Sequence, residues 1–249
     1  VQTTYNKLLK EIGRTHTFED VIESIDILKS VGITNISMDL IYGLPTQTIE
    51  DLEVDLNKLI SLNPTHLSLY SLTIEPNSKF SRAGIKEVSS ELETDMYLLI
   101  QQRLIENGYI HYEISNYCLP GFESSHNLSY WHYDDFLGVG IGASSKVNHR
   151  RFTNHQNIND YIQGKRLLSE NLELTQENEM FEYIMMNLRL IDGIDCSQFL
   201  KRFHVDIYDR YHKTIDEYVN KKLLFYNKKR LYANDKGRLM LNEILVDFI

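Results

Sequence analysis

The chain has 249 residues, 42% hydrophobic and 24% charged, an ordinary globular composition with length enough for one large or two modest domains. Its net charge of −9 argues against a nucleic-acid binder, because phosphate contacts need surplus Lys and Arg. No apolar run nears the roughly 20 residues of a membrane helix and no signal-peptide pattern opens the chain, so a cytoplasmic protein without a membrane span is expected.

The opening at Val1, without a Met and close to a well-formed helix start, reads as a cut inside a domain. Thr17 is a good N-cap, followed by Glu19 and Asp20 where the helix dipole favours acids. Val21, Ile22, Ile25 and Leu28 then recur at helical spacing, and Gly32 fits the stop. A strand follows over 35–42 and ends at Gly43-Leu44-Pro45. Thr48 caps a second helix carrying Leu52, Leu56, Leu59 and Ile60, broken by Asn63-Pro64. Residues 66–74 read as another strand, 90–107 as a helix stopped by Gly108, and 109–114 as a strand. Helices alternating with strands at this spacing predict parallel βα units, an open α/β sheet or part of a (βα) barrel.

The pattern changes over 118–157, which is rich in Gly, Ser, Asn and His and only weakly periodic. Loops of that length are functional or disordered, and seven aromatics between Tyr117 and Phe152 argue against disorder. Helices are expected over 180–190, 196–203 and 207–220. Two short strands then flank Asn227-Lys228-Lys229-Arg230, and a last helix runs from Asn234 to the end. That order suggests a winged-helix-like module. Residues 201–240 carry 11 Lys and Arg against 5 Asp and Glu, which leaves a binding role open for this end. The expected organisation is therefore 1–117 as barrel, 118–170 as an aromatic connecting region, and 171–249 as the winged-helix-like domain.

Parallel βα architectures place their sites at the carboxyl ends of strands. Asp39 stands in an apolar strand, where a buried acid must be paired or must bind something. It suits a hydroxyl-rich ligand such as ribose, or equally a structural ion pair with Arg14. Arg14 itself, beside Gly13 at a loop, can hold a carboxylate by two parallel hydrogen bonds. Gln2 adds an amide. The cysteines, Cys118 and Cys196, lie far apart and show no ligand spacing, so each reads as a buried or bland thiol. Gly138-Val139-Gly140-Ile141-Gly142 lacks the strand-to-helix context of a dinucleotide fingerprint, and His132, His149 and His155 are too scattered for zinc.

A second constellation is His126-Asn127-Leu128-Ser129-Tyr130-Trp131. Imidazole ligates heme iron, and Tyr130 and the sole Trp131 offer flat apolar faces to a porphyrin. Asn127 is placed to bond His126 or a propionate. The competing reading is a loop histidine packed beside core aromatics.

The runs Val1-Gln2-Thr3, Gly13-Arg14-Thr15-His16 and Asp39-Leu40-Ile41-Tyr42-Gly43-Leu44-Pro45, with His66 to Tyr70 and Glu113 to Tyr117, resemble one family. It is the radical S-adenosylmethionine (SAM) group of oxygen-independent coproporphyrinogen III oxidases and heme chaperones, and the resemblance covers essentially the whole chain. It implies that Gln2, Arg14 and Asp39 contact SAM, with the acid at the ribose and the others toward the methionine end. It implies a [4Fe–4S] cluster held by upstream cysteines that this chain lacks, so the chain alone is not expected to be catalytically active and no catalytic residue is assigned. His126 to Trp131 is similar to the motif linked to heme binding in the chaperone branch. The resemblance therefore implies heme bound at His126, Asn127, Tyr130 and Trp131, His126 being the candidate iron ligand, and delivery to an acceptor protein. The alternatives are a coproporphyrinogen III oxidase acting by radical oxidative decarboxylation of propionates and, as a minor reading, a winged-helix binding module.

Overall fold

The computed structural model describes residues 1–165 and 167–249, so residue 166, inside the connecting region expected over 118–170, lies outside the described residues. The chain divides into two units, Val1–Glu123 and Ser124–Ile249. Among the described residues no helix is long and apolar enough to cross a membrane.

In the first unit α1 (Asn6–Glu11), α2 (Phe18–Ser30), β1 (Ser37–Tyr42), α3 (Ile49–Ser61), β2 (His66–Ser71), α4 (Lys79–Arg82), α5 (Ser90–Glu106), β3 (Ile110–Glu113) and β4 (Asn116–Cys118) follow in order. Two capping boxes start α2 and α3: the Thr17 and Thr48 hydroxyls accept from the amides of Asp20 and Asp51, whose carboxylates accept in return. The sheet order is β1-β2-β4-β3. β1 and β2 are parallel, with Asp39 opposite Ser68, as the helix–strand alternation predicts. β4 is antiparallel to both neighbours and enters between β2 and β3.

The two-residue period of the strands decides which face is which. Met38, Leu40 and Tyr42 of β1, Leu67 and Leu69 of β2 and Tyr117 of β4 point into one core. Leu52, Leu56 and Leu59 of α3 and Met96, Ile100 and Leu104 of α5 cover it. Each fully buried leucine there contributes about 1.5–3 kcal/mol relative to an exposed one. The opposite face carries Ser37 and Asp39 from β1 and His66 and Ser68 from β2.

The second unit opens with α6 (Ser125–Trp131), then β5 (Ser144–Val147), β6 (Arg150–Asn154), α7 (Ile158–Ile162) and β7 (Leu168–Glu173). β5-β6-β7 form an antiparallel sheet where the sequence reads as aperiodic connection. Next come α8 (Gln176–Asn187), β8 (Ile194–Asp195), α9 (Cys196–Phe203), α10 (Ile207–Asn220), β9 (Leu224–Tyr226), β10 (Arg230–Ala233), α11 (Asp235–Leu239) and α12 (Leu241–Val246). The small sheet has the order β8-β10-β9, so helix, strand, two helices and a two-stranded wing recur in winged-helix order. The closing helix expected from Asn234 onward is broken at Met240 into α11 and α12. Asp195 and Asp206 cap α9 and α10, and Phe199, Phe203, Ile207 and Ile215 are buried beneath them.

Candidate functional site

In the first unit Gln2 and Asp39, two of the three residues singled out by sequence, come together at the β1 edge of the sheet. Gln2 joins β1 as a one-residue strand: its amide donates to the Asp39 carbonyl at 2.9 Å, and its carbonyl accepts from the Ile41 amide at 2.8 Å. Gln2 does so with φ of +65°, a left-handed conformation uncommon outside glycine. Thr3 and Thr4 hold it there through the buried Asp55 of α3. That carboxylate accepts from Thr3 Oγ1 at 2.8 Å, the Thr4 amide at 2.7 Å and Thr4 Oγ1 at 2.6 Å.

Asp39 is exposed, not buried within an apolar strand as its neighbours suggest. The alternation puts Met38, Leu40 and Tyr42 inside and leaves the acid on the open face, so its charge needs no structural partner. No ion pair between Asp39 and Arg14 occurs among the described residues. Arg14 is exposed, follows α1 rather than a strand, and is fixed by its amide donating to the Leu9 carbonyl at 2.8 Å.

Beside Asp39 on the same face is a group that sequence reasoning passed over. The buried His66 ring is in hydrogen-bond contact with Ser37 Oγ through Nδ1 and with the Tyr112 hydroxyl through Nε2, both at 2.8 Å. Burial lowers its pKa and the nearby Asp39 charge raises it, with burial prevailing. The alternation of polar and apolar residues over 66–71 was the available signal.

These residues match the chemistry of SAM. A carboxylate can accept hydrogen bonds from ribose hydroxyls and a guanidinium can pair with a carboxylate, and Asp39 and Arg14 are both exposed. An iron–sulfur cluster does not fit the residues present. Cys118 and Cys196 belong to different units, burial pushes each thiol up to about 11, and no cluster of three metal-ligating side chains occurs among the described residues.

In the second unit His126, Asn127, Tyr130 and Trp131 share the helix α6, which Ser124 caps by accepting from the Asn127 amide at 3.3 Å. Four-residue spacing places Tyr130 one turn beyond His126, with ring centroids 5.0 Å apart and planes at 87°. Phe136 extends the aromatic row, 4.7 Å from Tyr130. The His126 imidazole is exposed. Trp131 is half-buried, and its indole Nε1–H is buried without a hydrogen-bond partner. Just past α6, Tyr133 anchors this stretch: its hydroxyl donates to Glu182 of α8 at 2.6 Å, and burial with that bond pushes the phenol well above its usual range.

Comparison with known proteins puts a family to this arrangement. The heme chaperone HemW of Lactococcus lactis is 39% identical over 232 residues, covering 90% of this chain and 61% of that protein. HemW of Bacillus subtilis is 31% identical over 260 residues, covering the whole chain and 68% of that protein. The chain belongs to the HemW family. HemW of Escherichia coli agrees, with 30% identity over 254 residues covering 67% of its length. Residues 1–59 match the model of the radical SAM superfamily, and residues 174–240 match the HemN C-terminal domain. The structure of E. coli coproporphyrinogen III oxidase (HemN), a radical SAM enzyme, superposes with a TM-score of 0.83 at 20% identity, covering all of this chain and 62% of that one. The fold is therefore the downstream part of a radical SAM barrel followed by a HemN-type C-terminal domain. The chain spans about two thirds of the length of its HemW relatives.

Proposed function

We propose that this chain is the heme-handling portion of a heme chaperone, which binds heme at α6 and passes it to an acceptor protein. The observation that carries this reading is the exposed His126 imidazole one helical turn from Tyr130. An imidazole nitrogen is an axial ligand for heme iron, and the Tyr130–Phe136 row gives the macrocycle an apolar face to rest on. The name carried by the HemW relatives agrees with it. An exposed ligand suits a carrier, because heme held at a surface is open to a second protein.

Gln2, Arg14 and Asp39 form a SAM-binding wall in this reading. Asp39 receives the ribose hydroxyls, while Arg14 and Gln2 take the methionine end. Bound SAM would supply an adenosine and a sulfonium centre; the chain's own part is to orient that molecule against the polar face of β1 and β2. The cluster ligands do not belong to this chain, and no radical step is assigned to it.

Heme titration of the chain followed by its visible absorption tests the proposal. Wild-type protein is expected to give a shifted, saturable Soret band that His126→Ala loses or weakens. An identical spectrum and affinity in His126→Ala would remove His126 as ligand.

A further inference from the structure

The hairpin of β9 and β10 in the second unit combines an outward aromatic pair with a cationic tip. Strand alternation buries Leu224, Leu231 and Ala233 and turns Phe225 and Tyr232 outward, opposite one another in register. Their rings stack with centroids 5.4 Å apart and planes at 20°, and Phe225 is 48% exposed. The hairpin is held firmly. Gly193 lies so close beneath it that a Cβ there would stand 2.5 Å from Tyr232 Cβ. At the tip, the two-residue turn Lys228-Lys229 is closed by the Asn227 amide, which donates to the Arg230 carbonyl at 3.2 Å. Asn227 Oδ1 accepts from the amides of Lys229 at 3.1 Å and Arg230 at 2.8 Å. Lys228 has φ of +65°, at a place in the turn that favours glycine. A left-handed lysine is less stable there than glycine, so the tip keeps a cation that the backbone alone would not select. Residues 218–234 hold five Lys and Arg and no acid. Lys221 pairs with Glu217 at 2.6 Å and Arg230 with Asp195 at 3.7 Å. Lys222, Lys228 and Lys229 are exposed and have no ion pair among the described residues.

We infer that this wing is a docking surface for an acidic segment of a partner protein. Lys228 and Lys229 take the partner's carboxylates, and an apolar side chain of the same segment lies on the Phe225–Tyr232 pair. A few aromatic anchors carry most of the energy of a protein interface, and opposite charge around them selects the partner. A hairpin already fixed by Asn227 and Gly193 gives up little freedom when it is bound. Nucleic acid is the poorer occupant. α10 stands where a winged-helix module puts its recognition helix, and there Asp209, Asp216 and Glu217 are exposed beside Arg210 and Lys213. Those acids would face a phosphate backbone, which needs surplus cations. No residue of α6 takes part, so the inference stands apart from the heme reading.

A random peptide library displayed on phage and panned on the whole chain at low salt tests this. The enriched peptides are expected to combine Asp or Glu with an apolar side chain, and their affinity to fall as salt is added. Made synthetically, they should bind the double variant Lys228→Gly/Lys229→Gln roughly fivefold more weakly, the effect of two exposed ion pairs. Phe225→Ala should weaken them by roughly five- to tenfold, the effect of one aromatic anchor. Glycine is the residue that the left-handed turn accommodates best, so a loss in the lysine variant is not a loss of fold. A panning that enriches no sequence overturns the inference, as do enriched peptides without acids or equal binding to wild type and either variant. An oligonucleotide that binds more tightly than the peptides and loses affinity in the same variants also overturns it and makes the wing a nucleic-acid site.

Discussion

Replacing Asp55 with Ala probes the joint that ties the start of the chain to the barrel. The carboxylate is fully buried and is the acceptor for four donors: Thr3 Oγ1, Thr4 N, Thr4 Oγ1 and, at 3.3 Å, Gln47 Nε2. Thr3, Thr4 and Gln47 are buried as well, so truncation strands their donors away from bulk water. Each stranded donor costs about 1–3 kcal/mol, but the hydroxyls can rotate toward other acceptors. Truncation also relieves the burial that raises the pKa of Asp55. The net loss is therefore about 3–4 kcal/mol rather than the full sum, or roughly 10 °C in melting temperature. The loss is local first. The amides of Gln2 and Ile41, which pair residue 2 with β1, should exchange with deuterium much faster in Asp55→Ala. Asp55→Asn keeps one acceptor oxygen and should fall between the two. A melting point within about 2 °C of wild type, with the Gln2 and Ile41 amides still protected, would refute the reasoning.

His66 has a folded pKa below its ordinary 6.5, so its neutral form is favoured in the folded state. Stability from this group is present above 6.5 and is lost as pH falls from there toward the lower folded value. Urea titrations between about pH 7.5 and pH 5 should show that decline, roughly 1.4 kcal/mol for each pH unit separating the unfolded and folded values, and His66→Gln should flatten it. Gly193 has φ of +63°, and a Cβ added there would stand 2.2 Å from the Leu231 carbonyl oxygen. Gly193→Ala should therefore destabilise the second unit by about 2 kcal/mol or more, measured by calorimetry, and a neutral result would contradict the close approach. Cys118 and Cys196 are buried with thiols near 11, so neither should react with iodoacetamide at about pH 8 until the chain is unfolded, as peptide mass spectrometry would report.

What was legible in the sequence follows from where periodicity is strong. α9 and α10 keep their expected bounds because Asp195 and Asp206 cap them and buried side chains recur at helical spacing. β1 and β2 are legible as a parallel pair because a capped amphipathic helix separates them. β4 is not, because three residues, Asn116 to Cys118, carry no pattern. β6 and β7 were hidden for a different reason. Arg150, Arg151, Glu170, Asn171 and Glu173 make both faces polar, so no alternation marks them, and β7 is exposed along its length. α6 looked like loop because its seven residues hold no continuous apolar stripe. At the sites, the residue types could be read but their surroundings could not. Asp39 was visible as an acid among apolar neighbours, yet its exposure depends on which sheet face the helices cover.

In the proposed function the His126 imidazole carries the heme iron. The most direct measurement replaces His126 with Gly and follows the heme spectrum while free imidazole is added. The variant is expected to lose the wild-type Soret position and to regain it as imidazole takes the vacated coordination place. A variant that keeps the wild-type spectrum without imidazole, or one that imidazole never restores although heme remains bound, would contradict it.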